Sequence, residues 1–175
     1  MQELKANPDA RLIAGATELG LDITKRYKKF STLISTEAVV ELKEIKATET
    51  EWRIGAAVAL TEIKNKLGEE FPMLGDMLRV FGSRQIRNRA TMGGNLVTAS
   101  PIGDSAPCLL ALEAKVILAR GGDAPSPEGG SAASTLVDSR EEGVAATSER
   151  TLPIGEFFLA YRKTALQPGE ILKTI

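Results

Sequence analysis

The stretch that decides the fold lies in the middle of the chain and reads Arg89-Ala90-Thr91-Met92-Gly93-Gly94-Asn95-Leu96-Val97-Thr98-Ala99-Ser100-Pro101-Ile102-Gly103-Asp104. Its two adjacent glycines let the main chain approach a ligand closely, because they carry no Cβ. The hydroxyl and amide side chains around them offer hydrogen-bond donors, and Asp104 offers an acceptor for hydroxyl groups. This combination suits a phosphorylated polyol such as a dinucleotide cofactor. The alternative is a turn-rich loop whose Ser, Thr and Asn side chains cap helix ends.

A second candidate site lies near the N-terminus. Arg11 to Ala14 predicts a short buried strand, and Gly15 to Gly20 predicts a turn into a helix that runs to about Tyr27, with Thr17 as its N-cap. A strand that leads through a glycine turn into a helix presents free backbone N–H groups, which can hold a phosphate. The glycine spacing matches neither a Rossmann domain nor a nucleotide triphosphatase loop. A plain structural connection is the alternative.

Two charged features have both a structural and a functional interpretation. Arg84, Arg87 and Arg89 form either a solvated face or a site that attracts a diphosphate. Asp104 suits the N-cap of a helix predicted from Ser105 to Glu113, a role compatible with binding hydroxyl groups because a carboxylate has four lone-pair sites.

The composition excludes several kinds of chemistry. The chain has no histidine, which rules out His-based triads and His metal ligands. Its single cysteine, Cys108, cannot hold a zinc ion or an iron–sulfur cluster. Because Cys108 lies in an apolar helical run, we predict a buried structural thiol. Redox chemistry would therefore require an organic cofactor.

Net charge and hydropathy indicate the cellular location of the protein. The net charge of −1 argues against general affinity for nucleic acid or anionic membranes. No apolar run approaches the roughly 20 residues that span a bilayer, and the N-terminus lacks a signal-peptide core. We therefore expect a cytoplasmic protein.

Residues 121–150 differ in composition from the rest of the chain. They contain five Gly, five Ser and five Ala, and six acids against two arginines give them a net charge of −4. This composition predicts a flexible insertion without a core of its own. The chain then ends on a predicted strand, Gly169 to Ile175, so we expect the natural polypeptide to continue.

Four ordered motifs together resemble the FAD-binding domain of xanthine dehydrogenase, within the molybdenum hydroxylase family. The first two are Leu12-Ile13-Ala14-Gly15-Ala16-Thr17-Glu18-Leu19-Gly20 and the stretch that ends at Asp104. The other two are Tyr161-Arg162-Lys163-Thr164 and Pro168-Gly169-Glu170-Ile171-Leu172. The resemblance covers nearly the whole chain outside the predicted insertion.

The resemblance implies a role for each matching residue. The main chain from Leu12 to Leu19 would wrap the diphosphate and adenosine side of FAD, Asp104 would accept from ribityl hydroxyls, and Phe81 and Leu172 would lie at the isoalloxazine. Plain core packing is the alternative for these last two residues. The implied cofactor-binding residues are Leu12, Ile13, Ala14, Gly15, Ala16, Thr17, Glu18, Leu19, Phe81, Thr91, Met92, Gly93, Gly94, Asn95, Thr98, Asp104 and Leu172.

The implied fold is a two-lobed α+β FAD-binding domain with the cofactor in the cleft between the lobes. Residues 1–58 would form the small lobe and residues 59–175 the larger one, and the C-terminal domain of the family is absent. FAD would be bound non-covalently. The iron–sulfur clusters and the molybdenum cofactor would lie on partner domains or subunits, and NAD or oxygen would accept the electrons. An aldehyde oxidase or carbon monoxide dehydrogenase type of enzyme, or a non-catalytic scaffold subunit, remains the alternative.

Overall fold

The computed structural model describes residues 1–121 and 147–175, which form a mixed α+β fold. A 3-10 turn spans Val40–Lys43. The helices and strands follow one another as α1 (Gln2–Ala6), β1 (Arg11–Ile13), α2 (Leu19–Thr24), β2 (Leu33–Ser35), β3 (Ile45–Ala47), β4 (Trp52–Ile54), α3 (Leu60–Leu67), α4 (Pro72–Val80), α5 (Arg84–Arg87), α6 (Met92–Thr98), α7 (Ser105–Ala111), β5 (Lys115–Gly121), β6 (Thr147–Pro153), α8 (Ile154–Phe157), β7 (Phe158–Ala160), β8 (Lys163–Thr164) and β9 (Glu170–Thr174).

Strands β1 and β2 form a parallel pair in which Leu12 lies opposite Ile34. The predicted strand at the start of the first motif is therefore confirmed, but its burial is not, because Arg11 is exposed and Leu12 and Ile13 are half-buried. Helix α2 is shorter than predicted, and Thr17 is not its N-cap. Ala16 has a left-handed φ of 61°, and the chain enters the helix only after Glu18, which holds the N-cap position. The predicted helix reached Tyr27, but that residue also has a left-handed φ, of 54°, which no α-helix accommodates.

The main sheet has the strand order β6–β5–β9, and both pairs are antiparallel. Strand β6 corrects the boundaries of the predicted insertion: Gly121 and residues 147–150 belong to paired strands, with Gly121 opposite Thr147. The remaining residues of that prediction, 122–146, lie outside the described residues. The polar side chains of Thr147, Ser148 and Glu149 gave no strand signal because they are exposed, while main-chain pairing with β5 holds the strand.

The core lies between the helices α3, α4, α6, α7 and α8 and the main sheet. Spacings of three and four residues place Leu60, Ile63 and Leu67 on one face of α3, where all three are fully buried. Cys108 is also buried, as predicted, and burial raises the pKa of its thiol. None of the helices in residues 1–121 and 147–175 is long and apolar enough to cross a membrane.

Helices α3 and α4 approach each other closely through two glycines. A Cβ on Gly75 would lie 2.4 Å from the carbonyl oxygen of Gly68 and 2.9 Å from its Cα. Both distances are shorter than real Cβ contacts, so only glycine at position 75 permits α4 to pack this closely against the end of α3.

Residues 45–58 share the core of the larger part of the chain. Ile45 and Ile54 belong to the buried cluster, and the main chain of Ile54 exchanges two hydrogen bonds with Ile175. Residues 1–41, all of which the structure describes, contain no buried residue. The packing favours a boundary near Leu42, and the predicted division at residue 58 stays a prediction.

Candidate functional site

The turn between β1 and α2 carries a run of unpaired main-chain donors. Within the described part of the chain, the N–H groups of residues 14–19 donate to no main-chain or side-chain acceptor. Within this run Ala16 has a left-handed φ of 61°, which turns the main chain, and all six residues are half-buried. Consecutive N–H groups in such a turn form a concavity that suits anionic oxygen atoms. This turn therefore fits the phosphate groups of a dinucleotide, while Leu12 and Ile13 lie in β1.

Gly15 brings the two predicted segments together. A Cβ at this position would lie 1.7 Å from the carbonyl oxygen of Arg89 and 3.0 Å from the Cα of Ala90. Only a glycine permits the turn to lie directly against the main chain that leads into Thr91. Two motifs that are more than 70 residues apart in the sequence are thus in contact.

The second motif forms the helix α6, and its first turn is already hydrogen-bonded. The N–H of Met92 donates to Val58 O at 3.3 Å and that of Gly93 to Ala56 O at 3.0 Å. The N–H of Gly94 donates to Thr91 Oγ1 at 3.1 Å, which makes Thr91 the N-cap. These main-chain donors are not free for a ligand.

The two glycines of this motif differ in their surroundings. Gly93 is buried, and a Cβ on it would lie 2.5 Å from the Cβ of Ala56, so this glycine permits α6 to pack against Ala56. Gly94 is exposed, and a Cβ on it would lie 2.8 Å from Thr91 Oγ1. Contact of Met92, Gly93 and Gly94 with a cofactor stays a prediction.

Three polar side chains remain available beyond the first turn of α6. Asn95 is half-buried, and its Oδ1 would lie 3.9 Å from a Cβ on Gly103, so its amide lies beside the loop before Asp104. Thr98 Oγ1 donates to Gly94 O at 2.9 Å and keeps its acceptor lone pairs. Asp104 is exposed and holds the N-cap position of α7, but its side chain makes no capping hydrogen bond. Its helical φ and ψ of −75° and −28° explain this, because a capping residue needs an extended conformation.

The two residues expected at the isoalloxazine are part of the core. Phe81 is half-buried at the end of α4 and packs against the core cluster. Leu172 is 6% exposed in β9, where it lies opposite Leu118. Core packing accounts for both residues, and their contact with a flavin stays a prediction.

The three arginines before the second motif have different surroundings, so they do not form one anion site. Arg87 Nη1 donates to Phe81 O at 2.7 Å and to Gly82 O at 2.8 Å, which fixes the turn after α4. Arg89 forms an ion pair with Glu37, which follows β2. Arg84 is exposed, and its side chain has no hydrogen bond or ion pair among the described residues. The solvated-face interpretation therefore fits Arg84 and Arg89, which are both exposed, but not the half-buried Arg87.

Sequence reasoning missed an apolar groove next to Gly103. Its volume is about 400 Å³, and Pro107 and Phe158 are among the residues that line it. Tyr161 at its edge is 76% exposed. The two walls come from segments about fifty residues apart, and no local motif relates them.

A family model described as "FAD binding domain in molybdopterin dehydrogenase" matches residues 1–126. The chain belongs to this family. Xanthine dehydrogenases of Drosophila subobscura and Drosophila pseudoobscura pseudoobscura are 32% and 34% identical to it over 98% and 97% of its length. The chain spans 12% of the length of each of these relatives.

The fold of this FAD-binding domain also matches a solved structure. Quinoline 2-oxidoreductase from Pseudomonas putida 86 superposes with a TM-score of 0.78 at 24% identity, over 99% of this chain and 53% of that one. The resemblance inferred from the motifs, the α+β fold class and FAD as the cofactor are therefore confirmed. The cleft between two lobes and the individual binding residues stay predictions.

Proposed function

We propose that this FAD-binding domain is the electron-transfer module of a xanthine dehydrogenase-like molybdenum hydroxylase. It would take electrons from iron–sulfur clusters on partner domains or subunits and pass them to NAD or oxygen. The observation that carries the proposal is the run of unpaired N–H groups at residues 14–19, which Gly15 brings against the main chain of Arg89. We also propose that the enzyme is cytoplasmic.

The described residues suggest how the domain would hold FAD. The turn at residues 14–19 would donate to the diphosphate, and Asn95, Thr98 and Asp104 would hydrogen-bond its polar linker. Phe81 and Leu172 would exclude water from the ring. Bound FAD supplies the redox chemistry that the side chains lack. The chain offers no histidine, and Cys108 is buried, so we propose that FAD is held non-covalently.

The metal centres belong elsewhere in the enzyme. The sequence has one cysteine, and the described residues hold no group of three His, Cys, Asp or Glu residues that could bind a metal ion. Iron–sulfur clusters need several thiolates. Hydroxylation of a substrate would therefore require the partner domains.

The first test is the visible spectrum of the purified chain before and after addition of FAD, with the released cofactor identified after denaturation. We expect one FAD per chain, and flavin fluorescence that falls on binding. FMN and riboflavin, which lack the adenosine diphosphate part, serve as matched probes and should bind more weakly. Equal affinity for riboflavin and FAD would contradict a role for residues 14–19 in binding the diphosphate.

The scaffold alternative requires a separate experiment. The chain is loaded with FAD, reduced with dithionite and mixed with NAD in the absence of oxygen, because reduced flavin reacts with oxygen even without a protein. Reoxidation by NAD supports an electron-transfer module. A chain that binds FAD but is not reoxidised by NAD would support the scaffold alternative. The partner domains determine which substrate is hydroxylated. Identifying the domains or subunits that copurify with the chain would therefore distinguish a purine, an aldehyde and carbon monoxide.

A further inference from the structure

An ion pair joins the first motif to the third. Glu18 Oε1 lies 3.6 Å from Arg162 Nη1, although the two residues are 144 positions apart. Both side chains are partly exposed, at 45% for Glu18 and 41% for Arg162. The pair therefore connects the turn of unpaired N–H groups with the short hairpin formed by β7 and β8.

The hairpin holds Arg162 in an unusual conformation. Its φ is 52°, in the left-handed region that arginine rarely adopts. A tight turn between two paired strands places a residue at positive φ, so the turn fixes Arg162 in this conformation. Arg162 lies between the strand partners Ala160 and Lys163, so it belongs to the turn of the hairpin.

Glu18 leaves its neighbouring N–H groups unpaired. It has a helical conformation, with φ of −90° and ψ of −45°, and its side chain does not cap α2. The carboxylate pairs with Arg162 instead. A separation of 3.6 Å is longer than a hydrogen bond, so Glu18 does not use the guanidinium donors fully.

We infer that Arg162 is a phosphate-binding residue of this domain and that Glu18 competes with the diphosphate of FAD for its guanidinium. The inference rests on the proposed role of residues 14–19. A guanidinium presents donors in a planar fork that matches phosphate oxygens, and a diphosphate offers more charge than one carboxylate. An entering diphosphate accepts from the N–H groups of the turn and draws Arg162 away from Glu18. The hairpin would then close one side of the site.

The test compares charge-removing variants with three probes. Arg162→Gln should weaken binding of FAD and of ADP about tenfold to a hundredfold, the range for hydrogen bonds to a charged group, and leave binding of riboflavin unchanged. Arg162→Lys keeps the charge but not the fork and should fall in between. Glu18→Gln keeps every main-chain donor and should bind FAD at least as tightly as the unmodified chain does. Arg84→Gln removes the same charge at an exposed arginine without a described partner and should change nothing.

The outcomes separate this inference from the proposed function. Titration of each variant by flavin fluorescence or calorimetry gives the affinities, and thermal unfolding shows that each variant is folded. If the unmodified chain binds neither FAD nor ADP, both ideas are overturned. If it binds FAD and Arg162→Gln binds FAD equally well, only the inference fails. Equal weakening of FAD and riboflavin by both Glu18→Gln and Arg162→Gln would show an ion pair that merely holds the two segments together.

Discussion

Gly15 occupies a position where any larger residue collides with the main chain of Arg89. Because a Cβ would lie 1.7 Å from a backbone oxygen, Gly15→Ala must separate the first turn from the second motif. We expect a loss of about 2 kcal/mol in the free energy of unfolding, as for overpacked sites, together with loss of FAD binding. Urea unfolding and flavin titration measure the two effects.

Gly20 provides the matched control. It lies in α2, and a Cβ on it would meet no atom within 4 Å. Gly20→Ala should therefore leave FAD binding intact and stabilise the protein by up to about 1 kcal/mol, because alanine favours the helix. If both alanine variants behave alike, the close approach at Gly15 has no functional role.

The limits of sequence reasoning are clearest at individual residues. The motif around Gly15 predicted a turn that presents free N–H groups, and the structure has it, because strand and turn signals are local. The partners Arg89 for Gly15 and Ala56 for Gly93 could not be predicted, since they depend on how distant segments pack. The prediction that the Asp104 side chain caps α7 was wrong because its backbone is helical. The residue type alone does not reveal this backbone conformation.

Among the helices, the crossing of α3 and α4 depends on glycine at position 75. Gly75→Ala would put a Cβ 2.4 Å from Gly68 O, so the helices must move apart. We expect a loss of about 2 kcal/mol in the free energy of unfolding by urea, reduced somewhat by the better helix propensity of alanine. Asp76→Ala in the same helix is the control, because its ion pair with Arg79 is exposed and should contribute less than about 0.5 kcal/mol.

Strands β6 and β9, on either side of β5, are joined by the ion pair of Arg150 and Glu170. Arg150 donates to both carboxylate oxygens of Glu170 at 2.8 Å, and the side chain of Glu170 is 6% exposed. Burial acts to raise the pKa of Glu170, but hydrogen bonds from Arg150 and from the N–H of Gln167 hold it below its usual value. The sequence did not predict this pair, because residues 147–150 have the composition of a loop.

This pair makes part of the stability dependent on pH. Because the pKa of Glu170 is lower in the folded state, its contribution is complete above the usual value of 4.5 and is lost as the pH falls through the folded pKa. Glu170→Gln should cost about 2 kcal/mol at pH 7, as for a hydrogen-bonded charge, and much less at low pH. Urea unfolding of both proteins at several pH values checks this. A pH-independent difference would mean that the pair contributes only packing.

For the molecule as a whole, the single cysteine reports on global opening. Cys108 is 6% exposed, and its raised pKa keeps it as the unreactive thiol. We expect slow labelling by a disulfide reagent, limited by unfolding. FAD at about one hundred times its Kd should slow labelling about a hundredfold, because it binds only the folded state. A labelling rate that is the same with and without FAD would show that the reagent reaches the thiol through local fluctuations.

Residues 1–41 contain no buried residue, although they carry the proposed diphosphate turn. Their attachments to the remainder include the contact at Gly15 and the ion pairs of Glu18 and Glu37. Segments with so little buried apolar surface open far more readily than a core does. Amide hydrogens in this region should therefore exchange fastest in the protein without FAD and become strongly protected once it binds. Bound FAD would then supply the buried contacts that the N-terminal segment lacks. A change that weakens FAD binding should therefore also reduce the protection of amide hydrogens in this segment.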